Sequence, residues 1–371
     1  MRRELAEKLL TQIMKWTDAK KAEERRALEA FAAYKYDEYQ QFTPGRRFLE
    51  SLALWLRQFE SLDRQTAYDF VRKRLVFISD AEMNHLVELA FPFFVRPHLI
   101  DEAAKAENLA PHRVKHILQT WTYRKLLRQT LILGLSDGAR TDKFRRANPT
   151  GVSNEQIWHA YDISDTKAQD LLQKLKKDLS DLYEKELLKE ALRFRTVVLL
   201  DDFTASGKSF LLKNAAGDWE GKIARIIQKL ESNEGLGALV AEKAVKVIII
   251  IYVAAPQAIS HIQEHISKLS FCKGTIEFQV VHRLSPENRL DPQHDHGILG
   301  IADKDVHFDP KADDEHGAKG DSSMRLGFAD CRLPVILSHN TPNNSIFLLW
   351  AGAEHSVRGL FPRVGRHRKF E

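Results

Sequence analysis

The sequence predicts an α/β fold in which a mainly parallel sheet carries helices on both faces, preceded by an all-helical N-terminal region. Three observations predict it. Apolar residues recur at helical spacing through residues 1–125. Beyond them, Thr130–Leu133, Thr196–Leu200 and Val245–Val253 are β-branched or apolar runs without polar alternation, as parallel strands covered on both faces require. These runs alternate with helical stretches, the order of repeated α/β units. The expected division is a helical region at 1–125 and an α/β domain at 126–371 with a helical insertion at 150–192.

In chain order, Leu5, Leu9 and Ile13 mark a first helix, and Phe48, Leu52, Leu54 and Leu56 mark another after the break at Thr43-Pro44-Gly45. Helices are expected over 63–76 and 80–91, the latter with Ser79 or Asp80 as N-cap. Pro92 and Pro97 bracket a piece expected to be extended or kinked, and Pro111 suits the first turn of a helix over 108–128. Residues 80–118 and 153–179 each have a helix-turn-helix spacing, and Ser153-x-x-Gln156 is a capping-box pattern. Leucines 171, 175, 179, 182 and 188 place one amphipathic helix over 167–192. After Thr196–Leu200, helices are expected from Phe210 to Leu212, around Ile223–Leu230 and from Pro256 to Leu269, with strands over 245–253 and 275–281.

The chemistry concentrates in Thr196-Val-Val-Leu-Leu-Asp-Asp-Phe-Thr-Ala-Ser-Gly-Lys-Ser-Phe210. Asp201 and Asp202 stand at the carboxyl end of a strand, where open α/β sheets bind ligands. Such a pair can accept hydrogen bonds from the vicinal hydroxyls of a ribose. Thr204, Ala205, Ser206, Gly207, Lys208 and Ser209 then form a small-residue loop whose backbone N–H groups and hydroxyls suit one phosphate at the start of the next helix. The spacing points to a sugar-phosphate site. A P-loop reading fits only Gly207-Lys208-Ser209, because Asp202 occupies the first glycine position. A dinucleotide-binding turn lacks two of its three glycines. The bland alternative is an ordinary turn.

At these residues the chain resembles the type I phosphoribosyltransferase fold, and more specifically the phosphoribosyltransferase-like proteins of bacterial conflict systems. The resemblance spans residues 80–371 and rests on the acid-pair loop, on Leu135-Ser-Asp-Gly-Ala-Arg140 and on His339-Asn-Thr-Pro-Asn-Asn-Ser345. It implies that Asp201 and Asp202 hold the ribose of phosphoribosyl pyrophosphate, and that Thr204–Ser209 hold its 5-phosphate. It also implies that Ser136, Asp137, Gly138 and Arg140 receive pyrophosphate with Mg²⁺ brought by the ligand, possible contacts of the ion being Asp201 and Asp202. His339, Asn340 and Asn343 would line an acceptor side; the residues alone favour a turn there. Ala205 departs from the family pattern by lacking a hydroxyl. The implied activity is phosphoribosyl transfer with release of pyrophosphate in anti-phage defence. The alternative is a catalytically inactive nucleotide sensor, or a module binding nucleic acid or a partner protein.

Net charge is +5 and the pI about 9.0, which favours anionic partners. Basic residues cluster at Arg113, Lys115, Arg124, Lys125 and Arg128, and again at Arg358, Arg363, Arg366, Arg368 and Lys369, so nucleic acid is one candidate partner. The His- and Asp-rich stretch 291–321 lacks ligand spacing and reads as a solvated loop rather than a metal site. Cys272 and Cys331 stand alone. With no apolar leader and no run long enough to span a bilayer, the expected location is cytoplasmic.

Overall fold

The computed structural model describes residues 3–160, 163–183 and 192–363. The chain divides into two units: Met1–Met83 with Ser285–Glu371, and the continuous segment Asn84–Leu284. This division falls elsewhere than the 125/126 boundary expected from the change of apolar pattern. Among the described residues the strands are β1 (Val76–Ile78), β2 (Thr130–Gly134), β3 (Ile157–His159), β4 (Thr196–Thr204), β5 (Leu212–Lys213), β6 (Trp219–Glu220), β7 (Val245–Ala254), β8 (Gly274–Arg283) and β9 (Val335–Leu337).

The second unit is built on a parallel five-stranded sheet in the order β3-β2-β4-β7-β8. Numbered within the sheet, this is the doubly wound order 2-1-3-4-5, whose switch point lies between the first and third strands, here β2 and β4. The strand centres carry the apolar residues expected of a two-sided sheet: Leu131–Leu133, Val197–Leu200 and Val247–Ile251 are all 1% exposed or less. Odd-numbered positions of β2, β4 and β7 join one core with Leu171, Leu175 and Leu179 of the helix Asp165–Tyr183 and with Ile223, Ile226, Ile227 and Leu230 of the helix Lys222–Glu231. This alternation follows from the two-residue period of a strand.

Several expectations are corrected here. Residues 80–106 run as one helical path, Asp80–Ala90, a π-helical turn Phe91–Val95, and Arg96–Ala106. A wider turn accommodates the prolines without breaking the helix, and the next helix, Val114–Gln119, follows after residues 107–113. Ser79 is the N-cap: its hydroxyl accepts from the Glu82 N–H, and Glu82 returns the bond to the Ser79 N–H. The helix expected over 108–128 is two, Val114–Gln119 and Trp121–Arg128, divided at Thr120, which caps the second through the Tyr123 N–H. The capping box at Ser153 is present, but it caps a single 3₁₀ turn that leads into β3, which replaces the second expected helix-turn-helix. The helix from Asp165 is described to Tyr183; residues 184–191 lie outside the described residues.

The first unit pairs β1 with β9 in parallel, Val76 opposite Val335. The helix expected over 63–76 ends at Lys73, because β1 follows it. Its first helix, Arg3–Met14, buries Ala6, Leu10 and Ile13, with Leu5 exposed. Within 291–321, Asp295 is buried against the Arg74 guanidinium (Nε–Oδ1 2.8 Å), and His307 packs on Phe59. The stretch is therefore partly core rather than a solvated loop. No cluster of three metal-binding side chains occurs among the described residues.

Candidate active site

β4 outruns its neighbour. The last β2 residue, Gly134, pairs with Leu200, whereas β7 stays paired with β4 through Thr204. Asp201 and Asp202 therefore lie beyond the end of β2, at the switch point. Because the strand continues through them, their side chains leave on opposite faces.

Asp201 points to the face of the helix Lys222–Glu231 and is fully buried. Its Oδ2 accepts from the Lys222 ammonium, and its Oδ1 accepts from the Ser136 hydroxyl and from the Asp202 N–H (3.1 Å). Burial, and secondarily the Asp202 charge, push the Asp201 carboxyl up to about 6 against the pull of Lys222 and Ser136. Asp202 is half-buried, and its Oδ1 accepts from the Phe203 N–H at 2.9 Å. Its other oxygen lies against Gly138: a Cβ at that glycine would stand 2.3 Å from Asp202 Oδ2. The glycine expected to admit a ligand anion admits the carboxylate of the strand itself. Tyr252 on β7 closes the floor, its hydroxyl donating to the Ala139 carbonyl (2.7 Å). Arg140, held at φ 47°, donates from Nη1 to Asn84 Oδ1 at 3.0 Å.

The small-residue loop departs from expectation. Gly207 turns the chain at φ +78° against His261 and Ala258 of the helix Pro256–Ile266. The Phe210 and Leu211 N–H groups close on its carbonyl. No helix follows; the chain enters the β5–β6 hairpin, and the next helix begins at Lys222. A phosphate here would meet turn N–H groups, without a helix terminus. One of these, Lys208 N–H, bonds to Ser206 Oγ (3.3 Å), and Thr204, Ala205 and Ser206 are buried. Lys208 is half-buried, and Ser209 is exposed.

The family model PRTase-CE, a phosphoribosyltransferase family associated with conflict systems, matches residues 52–363. The chain belongs to the PRTase-CE family. No curated protein and no solved structure matches it detectably.

In this PRTase-CE chain, the acid pair, Ser136 and Gly138 are gathered at one place, and Lys222 joins them unannounced. The hairpin between Leu211 and Gly221 carries that lysine back to the strand end. The turn residues Asn214-Ala-Ala-Gly217 were its one sequence signal. His339, Asn340 and Asn343 belong to the first unit, where they close a tight turn after β9: Leu337 and Asn340 exchange backbone hydrogen bonds of 3.0 and 3.1 Å, the His339 carbonyl accepts from Gln41, and the Asn343 carbonyl accepts from the Phe328 N–H. Among the described residues, no helix is long and apolar enough to cross a membrane.

Proposed function

We propose that the second unit binds phosphoribosyl pyrophosphate, or a related nucleotide, at the carboxyl edge between β2 and β4, and transfers the phosphoribosyl group in bacterial anti-phage defence. The carrying observation is the unequal acid pair at the switch point: Asp202 reaches the surface while Asp201, neutralised by Lys222, holds Ser136 beneath it. Asp202 accepts hydrogen bonds from ribose hydroxyls, the turn Thr204–Ser209 receives the 5-phosphate, and Ser136–Arg140 faces the pyrophosphate.

The donor set fits Mg²⁺ carried by the ligand, since Mg²⁺ is commonly held by one or two carboxylates together with substrate phosphates and water. Asp202 would be its protein contact, because it is half-buried whereas Asp201 is fully buried. Bound there, Mg²⁺ supplies positive charge against the departing pyrophosphate. In the transfer, the bond between C1 and the pyrophosphate oxygen breaks with its electron pair on that oxygen. An acceptor lone pair forms the new bond to C1, and the acceptor proton is lost to solvent.

Calorimetric titration of phosphoribosyl pyrophosphate with Mg²⁺ into wild type and a folded Asp202→Asn variant tests this. Binding by wild type, weakened about tenfold or more in the variant, is expected on loss of one charged hydrogen-bond acceptor. No binding by folded wild type overturns the proposal. The sensor reading is favoured by one observation, the absence of a hydroxyl at Ala205. It requires binding without pyrophosphate release in an acceptor screen.

A further inference from the structure

Beyond the acid pair, the second unit carries a basic concavity in the segment His112–Gln119. Its cavity of about 460 Å³ is lined by His112, Arg113, Val114, Lys115, His116 and Gln119, and no carboxylate is among them. The concavity is broad and open to solvent rather than enclosed. All six residues are exposed.

The basic side chains here are unpaired. None of His112, Arg113, Lys115 and His116 makes an ion pair or a side-chain hydrogen bond among the described residues. Around them, Lys105 pairs with Glu102, Arg128 with Asp178 at 2.6 Å, and Lys246 with Glu277 at 2.6 Å. Arg128, grouped with this cluster from sequence, is 8% exposed and leaves it; Arg124 is exposed and remains. Unpaired like charges on one short segment repel each other, and an anion relieves that repulsion.

The surroundings say what kind of anion. Val114, 41% exposed between Arg113 and Lys115, offers an apolar surface, and two imidazoles flank it. Imidazole and aliphatic groups beside cations suit bases stacked next to their phosphates. The helices Val114–Gln119 and Trp121–Arg128 feed the amino end of β2, whereas the acid pair lies at the carboxyl ends of the strands. The concavity is thus separate from the sugar-phosphate site.

We propose that this concavity binds the phosphodiester backbone of a nucleic acid, independently of the ligand at Asp202. The test is fluorescence anisotropy with labelled single-stranded RNA, single-stranded DNA and duplex DNA, between about 50 and 200 mM salt. The proteins are wild type, Arg113→Ala/Lys115→Ala, and Lys73→Ala/Lys268→Ala, which removes the same charge from two exposed, ion-paired lysines elsewhere. At least one probe should bind wild type, and the strand type that binds best identifies the source. The cluster variant should bind about tenfold more weakly, with the slope of log K against log salt reduced by about one to two. The control pair and Asp202→Asn should bind as wild type. Absence of binding at low salt, equal weakening by the control pair, or equal competition by polyglutamate would each overturn the proposal.

Discussion

A carboxyl that is wholly buried and titrates near 6 makes Asp201 a source of instability at neutral pH, and its removal is expected to strengthen the fold. The ordinary value is 3.8, so below about pH 4 the group is protonated in both folded and unfolded chains and costs nothing. Between about 4 and 6 the folded state binds the extra proton, so stability falls as pH rises. Above the folded value the full penalty is present, ~3 kcal/mol at about 1.4 kcal/mol per pH unit. In Asp201→Asn the amide oxygen can still accept from Ser136 and from the Asp202 N–H. The amide nitrogen would face the Lys222 ammonium, but Lys222 is 23% exposed and can turn to water. A net gain of about 1–3 kcal/mol should remain at pH 7.5, which for a unit of this size is a rise in Tm of about 2–12 °C. Denaturant melts of both proteins from pH 4 to 8 measure it, and the difference should open between about pH 4 and 6 and then level off. A variant less stable than wild type at pH 7.5, or a difference independent of pH, would refute the reasoning.

Lys222→Met removes the counter-charge instead, and should destabilise at pH 7.5 by roughly 3 kcal/mol, the usual effect of stranding one partner of a buried pair. Adding Asp201→Asn should restore most of that loss in a double-mutant cycle read by the same melts. Gly138→Ala places a methyl carbon 2.3 Å from Asp202 Oδ2, so it should abolish calorimetric binding of phosphoribosyl pyrophosphate; Gly300→Ala, with open space around it, should leave binding unchanged. Gly207→Ala combines a φ of +78° with a contact of 2.9 Å to His261, and should lower stability by about 1–3 kcal/mol in urea melts.

What the sequence disclosed followed from periodicity that burial enforces. β2, β4 and β7 were legible because two-sided burial leaves an unbroken apolar run, β8 because Ile276, Phe278 and Val280 alternate with polar residues along an edge strand, and the acid pair because strand ends collect polar residues. β3 was not: Ile157-Trp-His159 is a half-exposed edge strand of three residues, too short to show a period. Periodicity assigned helix to Phe210–Leu212 because three apolar residues satisfy either template, and tertiary packing against Gly207 and Gly221 decided for a turn. Reading Asp201 and Asp202 as equivalent ignored the alternation of the strand that carries them. Arg128 was grouped with the basic cluster for a similar reason, since charge is visible in sequence and the Asp178 that neutralises it is not. Arg366, Arg368 and Lys369 lie outside the described residues.

The pairing of β1 with β9 has a consequence for how the chain is made. The second unit is one unbroken segment, so every contact it needs has been synthesised once Leu284 has left the ribosome. The first unit is nested around it: Val76 emerges early and waits for Val335, more than two hundred residues later. During that interval the N-terminal helices carry apolar faces whose strand partner does not yet exist. Closing so long a loop costs little extra entropy if the intervening segment has already condensed into a compact body. Synthesis order therefore completes the segment that carries the Asp202 sheet before the first unit can close.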